Sequence, residues 1–306
     1  MFDFYFAGTQ CKEADDLIVK LNANRLLSYL NDKKTILDYF NNKRSGWKGK
    51  LMIDSGAFTA HRKDIELDLD KYCDWINKNH MWFDFCIQLD HIPGKWGEIK
   101  TAEQLAKAPE ESWKNYLYML DKVNCPEKIL PVFHQGEHFK YLTQMVEHKI
   151  NGKYIDYICI SGNKELTPQQ REDWYQLMYS VVHNSKNPNV HIHCLGSATI
   201  SNAEMFPFTS MDATTWIMVG ANGGIMTPRG IVYVSDRCLT DKSHINNMPK
   251  EAIDYVKNYC DTIDVLLEDC ILDYKARAIA NVNYLFTMSR TCKYVGSKNI
   301  KSRRLF

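Results

Sequence analysis

The chain has 306 residues, of which 45% are hydrophobic and 25% charged, a composition typical of globular proteins and not of disordered or fibrous ones. A net charge of +1 excludes a uniformly basic surface, so any basic contact with nucleic acid must be local. The ten cysteines are scattered singly without a CxxC pair, which favours reduced thiols over a disulfide framework. No apolar run approaches the ~20 residues that span a bilayer, and the N-terminus lacks a basic signal-peptide region. We therefore expect a cytoplasmic protein without a membrane partner.

Short apolar runs alternate with stretches of helical periodicity along most of the chain. Strands are predicted at 2–7, 51–53, 83–90, 128–133, 154–160, 190–195 and 208–212, with 230–234 as a candidate for the last one. Helices are predicted at 13–42, 69–76, 101–122 (with a start signal at Pro109), 138–149 and 167–182. About eight strand–helix units in roughly 250 residues fit a (β/α)8 TIM barrel, with a doubly wound open sheet as the alternative. No GxGxxG or GxxxxGK[ST] motif supports dinucleotide or P-loop binding.

The predicted domain organisation places the catalytic barrel at residues 1–235. Residues 236–306 are predicted to form a C-terminal helical extension packed on the barrel, with helices at 250–259 and about 266–288. The basic tail from Lys293 to Arg304 could bind phosphates or remain solvated.

Acidic side chains follow three separate predicted strands. Asp54 closes the run that ends in Asp54-Ser55-Gly56, Asp90 closes the next strand, and Asp212 closes a later one. A single Asp in this position is often only a turn residue or helix cap. Three that converge on one barrel mouth need a reason, because burying like charges together is costly. Two close carboxylates with separated pKa values can divide the roles of nucleophile and general acid/base at a glycosidic or N-glycosidic bond.

These strand ends carry a family resemblance. The run Asp54 to Phe58 resembles the Asp-Ser-Gly-Gly-Phe motif of tRNA-guanine transglycosylases, which are (β/α)8 barrels. Further matches in the family's order are Gln88-Leu-Asp90, Gln135-Gly136, Ser161-Gly162, Leu195-Gly196 and Ser210-Met-Asp212. They cover residues 50–230, with a weaker echo near 276–281.

The resemblance implies a pentosyltransferase that exchanges guanine through a covalent glycosyl-aspartate. Asp212 would be the nucleophile at C1′ and Asp54 the general acid/base. The base would be bound by residues at the strand ends: Asp90, Gln135, Gly162, Ser55 and Gly196.

Two departures from the family pattern refine this interpretation. The tRNA enzymes carry a compact CxCxxC…His zinc motif that this chain lacks, and Cys238, His244, Cys260 and Cys270 stand in that region at irregular spacing. They could form a structural zinc site or be buried helix cysteines; no cofactor is otherwise expected. The short chain and early barrel start resemble the compact phage and bacterial branch that inserts 7-deazaguanines, such as 7-cyano-7-deazaguanine, into DNA. The expected partners are therefore DNA and a free 7-deazaguanine, in the host cytoplasm if the protein is phage-encoded.

Two alternative functions stay open at the level of sequence. The same chemistry could act on tRNA, or the chain could be a non-catalytic nucleic-acid-binding subunit of the superfamily. The pairing of Asp54 with Asp212 argues against the second of these. His134, His191 and His193 suggest a metal site, but hydrogen-bonded barrel histidines explain them better, because no metal-ligand spacing is present.

Overall fold

A computed structural model describes residues 2–9, 11–162 and 166–296. The chain is an α/β protein whose nine-stranded parallel sheet is nearly closed and barrel-like. The first half contains β1 (Asp3–Ala7), α1 (Lys12–Lys20), β2 (Asn24–Ser28), α2 (Lys33–Arg44), β3 (Leu51–Asp54), α3 (Ala57–Lys63), α4 (Leu69–Asn79), β4 (Phe85–Ile87), α5 (Ala102–Lys122), β5 (Ile129–Leu130), β6 (Val132–His134) and α6 (Phe139–Val146).

The second half continues the alternation and ends in helices. It contains β7 (Lys149–Ile150), β8 (Lys153–Tyr154), β9 (Tyr157–Ser161), α7 (Pro168–His183), β10 (His191–Leu195), α8 (Ile200–Met205), β11 (Ser210–Ala213), α9 (Thr215–Ala221), β12 (Gly224–Thr227), β13 (Gly230–Tyr233), α10 (Lys250–Thr262), α11 (Leu267–Leu272) and α12 (Tyr274–Thr291).

Contacts divide the chain into two compact units. The central unit comprises Arg25–Ala198 and Phe208–Asp212. The terminal unit comprises the residues up to Asn24, Thr199–Pro207 and the residues from Ala213 onward. The division between a barrel and an extension at residue 235 stays a prediction from sequence.

Within the central unit the strands pair in parallel in their chain order. β2 pairs with β3, β3 with β4 and β4 with β5, while β6 pairs with β9, β9 with β10 and β10 with β11. Only Pro131 separates β5 from β6, since proline has no N–H to donate to the ladder. Its carbonyl still accepts a hydrogen bond from the Cys159 N–H at 2.8 Å. The segment therefore continues the sheet between β4 and β9.

Composition explains why these strands are buried on both faces. Leu51, Met52 and Ile53 of β3 have no exposed surface, nor do Ile158, Cys159 and Ile160 of β9. Continuous apolar runs of this kind are typical of parallel strands covered by helices. In both strands the polar residue, Asp54 or Ser161, is the last one, where the connecting segment begins.

Before residue 235, three sequence predictions of local structure were wrong. The predicted helix at 13–42 is interrupted by β2, whose leucines also fit a helical face. The predicted start at Pro109 lies inside α5, which begins instead at a capping box made by Thr101 and Gln104. The run at 230–234 forms an antiparallel hairpin of β13 with β12 and is not the last strand of the parallel sheet.

The terminal unit has its own apolar cluster around the β12–β13 hairpin, α10 and α12, which includes Ile225, Val232, Val256, Cys260, Cys270 and Ala280. The predicted long helix at 266–288 breaks at Asp273, whose side chain caps α12 by accepting from the Lys275 N–H. Arg277 donates to the carbonyls of Gly220 and Cys270, both at 2.7 Å. No helix in the described parts of the chain is long and apolar enough to cross a membrane.

Candidate active site

The central unit brings three carboxylates from separate strands together. Asp54 is the last residue of β3, Asp212 lies in β11, and Asp90 follows β4 by three residues. Burial is the main cause of the raised pKa values of Asp54 and of the Cys159 thiol of β9; the charges of Asp90 and Asp212 add to the first, and those of all three aspartates add to the second. The cluster expected from the sequence is therefore present at one end of the sheet.

A tight turn fixes the carboxylate of Asp54. Its Oδ2 accepts from the Gly56 N–H at 3.0 Å, and no other residue that the structure describes donates to Oδ1. Gly56 has φ +86°, and a Cβ there would lie 2.6 Å from Leu30 Cβ, so only glycine fits. Ser55 is buried, and its Oγ accepts from the Ala57 N–H at 3.4 Å. Its predicted contact with a base stays a prediction.

The surroundings of Asp54 raise the pKa of its carboxyl group to near neutral pH. Burial, followed by the negative charges of Asp90 and Asp212, raises its pKa from 3.8 to about 7, while the Gly56 N–H opposes the shift. A carboxyl group poised at this pKa can both give and take a proton at neutral pH. This is the behaviour required of a general acid/base.

Asp212 is held in a different way. Its Oδ1 accepts from the Gly196 N–H at 2.8 Å and contacts His193 Nε2 at 3.2 Å. Gly196 adopts φ +59°, the left-handed conformation that favours glycine. Among the residues that the structure describes, none donates to Oδ2. One oxygen is thus anchored and the other is available to a ligand.

A buried series of hydrogen bonds supports Asp212 through its contact with His193. His193 Nδ1 bonds to Ser210 Oγ, and Ser210 Oγ bonds to the Tyr157 hydroxyl. The order Ser210–His193–Asp212 is that of a hydrolase triad. However, Ser210 is 0% exposed and faces the interior, whereas Asp212, at 6%, retains some exposure. The arrangement therefore presents the carboxylate, and not the serine, to a substrate.

A second, partly buried network holds Asp90. His134 Nε2 lies 2.9 Å from Asp90 Oδ2, and His134 Nδ1 lies 3.1 Å from Glu137 Oε1. Burial lowers the pKa of His134, but its hydrogen bonds and charge interactions with Asp90 and Glu137 outweigh this and raise it to about 10. His134 is therefore an imidazolium between two carboxylates at neutral pH. In the described structure Oδ1 of Asp90 accepts no hydrogen bond and can receive an N–H from a ligand.

Gln135 and Gly162 lie beside each other at the ends of β6 and β9. The Gln135 N–H donates to the Ser161 carbonyl at 2.9 Å. A Cβ on Gly162 would stand 3.7 Å from Gln135 Oε1 and only 3.1 Å from the Tyr175 hydroxyl. A side chain at position 162 would thus crowd the Tyr175 hydroxyl, whereas its contact with Gln135 would be an ordinary one. Asn163, which follows in the predicted strand end, lies outside the described residues.

Sequence reasoning missed how the histidines are used. It predicts a hydrogen-bonded role for His193 in the barrel but not its contact with Asp212. It does not connect His134 and Glu137 to Asp90. The available signal is the His-x-x-Glu spacing directly after a strand, which places both side chains on one turn.

The residues proposed for zinc do not form a metal site. Over residues 2–9, 11–162 and 166–296, no group of three or more His, Cys, Asp or Glu could hold a metal ion. Cys238 Sγ donates to the Asn222 carbonyl at 3.1 Å. The free thiols of Cys260 and Cys270 share a hydrogen bond. His244 Nδ1 accepts from the Asn246 N–H at 3.2 Å. These side chains serve local packing and turns.

Comparison with known proteins gives little further guidance. No family model matches the sequence, and no curated protein matches it. Solved structures with some likeness include a short chain dehydrogenase from Mycobacterium smegmatis, at 7% identity over 70% of this chain and 91% of that chain, with a TM-score of 0.26. A likeness this low carries no argument about the fold or the function.

Proposed function

We propose that this protein is a transglycosylase that exchanges guanine in DNA for a free 7-deazaguanine, with Asp212 as nucleophile and Asp54 as general acid/base. We further propose that the barrel-like sheet is a (β/α)8 barrel, in which β5 and β6 count as one strand interrupted at Pro131. The nine strands then reduce to eight.

One observation carries the proposal. Two neighbouring carboxylates have different surroundings: burial and nearby negative charges raise the pKa of Asp54 to about 7, whereas Gly196 and His193 anchor Oδ1 of Asp212. Carboxylates whose environments separate their roles are the usual pair for breaking a glycosidic bond.

In the first half-reaction, Asp212 Oδ2 attacks C1′ of the target nucleotide as the bond from C1′ to N9 of guanine breaks. The electron pair of that bond leaves with guanine, which takes a proton from the Asp54 carboxyl. The products are a glycosyl ester on Asp212, an Asp54 carboxylate and neutral guanine. The N–H of Gly196 keeps Oδ1 in place while Oδ2 forms the bond.

The second half-reaction reverses these steps with a different base. Asp54, now ionised, removes the proton from N9 of a free 7-deazaguanine, and N9 attacks C1′ as the ester bond to Asp212 breaks. The free carboxylate of Asp212 and the protonated Asp54 are regenerated. The protons and electron pairs of the two half-reactions therefore balance between the two aspartates and the two bases.

Recognition of the base is assigned to the neighbouring network. Asp90 offers an unoccupied oxygen while its other oxygen is held by cationic His134, so it suits an N–H donor on the edge of the purine. Gln135, beside Gly162, has a carboxamide that both donates and accepts. The preference for DNA over tRNA rests on the resemblance to the compact DNA-modifying branch.

The test is an exchange assay with labelled guanine, offered double-stranded DNA, single-stranded DNA and tRNA in parallel. We expect label to enter DNA and to be chased out by a free 7-deazaguanine. Label in tRNA alone would transfer the proposal to the tRNA reaction. Absence of label from all three nucleic acids would contradict base exchange.

A further inference from the structure

An exposed aromatic group stands on the segments that leave the candidate active site. Phe58 and Trp96 are 56% and 54% exposed. Their rings meet edge to face, with centroids 5.4 Å apart, and the His61 ring lies 6.3 Å from that of Trp96. We call these three side chains the aromatic rim. Solvent-exposed aromatic rings that pack on one another and not into a core are typical of a binding surface.

Chain connectivity places the aromatic rim near the reacting carboxylates. Phe58 and His61 belong to α3, which begins three residues after Asp54. Trp96 follows Asp90 by six residues in the segment between β4 and α5. Since β3 and β4 are adjacent and parallel, both segments leave the same end of the sheet.

The same two segments carry an excess of positive charge. Residues 57–64 and 91–101 contain four basic side chains, Arg62, Lys63, Lys95 and Lys100, and two acidic ones, Asp64 and Glu98. All six are exposed. Burial, followed by the charge of Lys100, lowers the pKa of His61, which keeps its ring neutral and able to stack. The surface thus combines flat rings with exposed cations.

We propose that the aromatic rim stacks unpaired nucleobases of a nucleic-acid strand beside the candidate active site, while lysines of the same segments contact its phosphates. Aromatic faces with a cationic border are the general means of holding single strands, since every base has a π-face. The chemistry fits less well to an acidic peptide, which offers no bases to stack.

This inference rests on the proposed function and specifies whether the substrate strand is paired at the target position. A target base inside a duplex is unreachable and must be unpaired or flipped out. Its neighbours then lose a stacking partner, and the aromatic rim can replace it. The favoured substrate is therefore a strand that is open at the target position.

The experiment uses fluorescence anisotropy with a labelled oligothymidine, which contains no guanine and cannot undergo exchange. We expect the full-length protein to bind it, and Trp96→Ala to weaken binding by about 5- to 100-fold, the effect of one base–aromatic stack. Trp96→Phe should retain most of the affinity. The control is Met81→Ala, another exposed apolar side chain just before β4, at the other end of that strand; it should bind as the parent does.

Salt dependence tests the cationic part of the surface. Replacing Lys95 and Lys100 by Gln should reduce the slope of log affinity against log salt by about 0.7 for each phosphate that is no longer neutralised. Binding of an oligouridine shows whether the surface distinguishes ribose from deoxyribose. A thymidine–adenosine duplex should bind more weakly than single-stranded oligothymidine. Thermal unfolding of each variant confirms that it is folded.

The outcome separates the two proposals. Weaker oligothymidine binding by Trp96→Ala would support the aromatic rim, whatever the exchange assay shows. If the protein also exchanged guanine in no substrate, only the transglycosylase would be refuted. Unchanged binding in Trp96→Ala, tighter binding of the duplex, or no binding of oligothymidine would overturn the rim, whatever the exchange assay shows.

Discussion

The carboxyl end of β3 and the carboxyl ends of β10 and β11 each carry residues that hold a carboxylate, but the two carboxylates have different surroundings. Asp54, at the carboxyl end of β3, accepts one hydrogen bond, from the Gly56 N–H, and burial together with negative neighbours raises its pKa to about 7. Asp212, near the carboxyl end of β11, has two hydrogen-bond partners on one oxygen, the Gly196 N–H and His193. Asp54 is thereby suited to carry a proton, and Asp212 to hold a fixed position.

The difference shows that residue type alone does not assign a role. Both residues are aspartates at strand ends, and both precede small residues or turns in the sequence. Their division of labour comes from the number of N–H groups aimed at each and from the charges nearby. Variants that remove these differences one at a time should therefore affect the two roles separately.

The largest effect is expected at Asp212. Asp212→Asn keeps the shape but cannot form a stable glycosyl ester, so exchange should fall by about 10⁴-fold or more. The assay is incorporation of labelled guanine, with thermal unfolding as the folding control. Retention of a substantial fraction of the activity would remove Asp212 from the nucleophile's role.

Asp54→Asn should cost about 10²- to 10⁴-fold in exchange, because an amide cannot act as the acid. In the parent protein, release of guanine in a single turnover should decline as pH rises through about 7, since Asp54 loses the proton that the leaving base needs. A release rate that is flat between about pH 6 and 8 would show that a different group supplies the proton.

Disturbing the support of Asp212 should have a smaller effect. His193→Leu removes the contact with Oδ1, and the loss of a charge-assisted hydrogen bond should lower kcat by about 10- to 100-fold with little change in KM. His193→Gln keeps a donor and should recover part of this loss. Equal activity in the Leu and Gln variants would argue that His193 is only a packing residue.

Base recognition should depend on Asp90. Asp90→Ala removes an acceptor for the purine edge, which should weaken binding of a free 7-deazaguanine by about 1–3 kcal/mol. Equilibrium competition against labelled guanine measures this directly. His134→Gln, which leaves Asp90 in place, serves as the matched variant and should weaken binding less. Unchanged affinity in Asp90→Ala would mean that this carboxylate does not contact the base.

The last prediction concerns the stability of the fold at the Asp90 network and not the exchange reaction. The raised pKa of His134, about 10, means that its ion pairs stabilise the fold fully below about pH 6.5 and lose this contribution as pH rises through about 10. His134→Gln should therefore lower the free energy of unfolding by about 2–3 kcal/mol near pH 6 and by less near pH 10. Denaturant titrations at both pH values test this. A penalty that grows with pH would contradict the assignment of charge.

Sequence reasoning located the polar strand ends better than the strands themselves. Asp54 is placed at a strand end because the apolar run 51–53 stops at it, and Asp212 because it closes the short strand-like run 208–212. β2 was missed because Leu26, Leu27 and Leu30 also fit a helical period, and only the sheet partner decides between the two. The hairpin at 230–233 has strand composition, yet its pairing with β12 is antiparallel and cannot be read from composition.

The networks behind the carboxylates could not be predicted in the same way. The contact of His193 with Asp212 joins positions 19 apart in the chain, and that of His134 with Asp90 joins the end of β6 to the segment after β4. Both depend on which neighbours the sheet order supplies. The shifted pKa of Asp54 likewise depends on burial and on two distant charges. A single sequence shows which residues are present but does not show these distances.

The central claim is that Asp212 forms a bond to the substrate while Asp54 handles the proton. The most direct measurement is to trap the glycosyl intermediate by denaturing the protein during turnover on guanine-containing DNA, followed by peptide mass spectrometry. We predict a DNA adduct on the peptide that contains Asp212, present in the parent and absent from Asp212→Asn. An adduct on another residue, or one that persists in Asp212→Asn, would contradict this account.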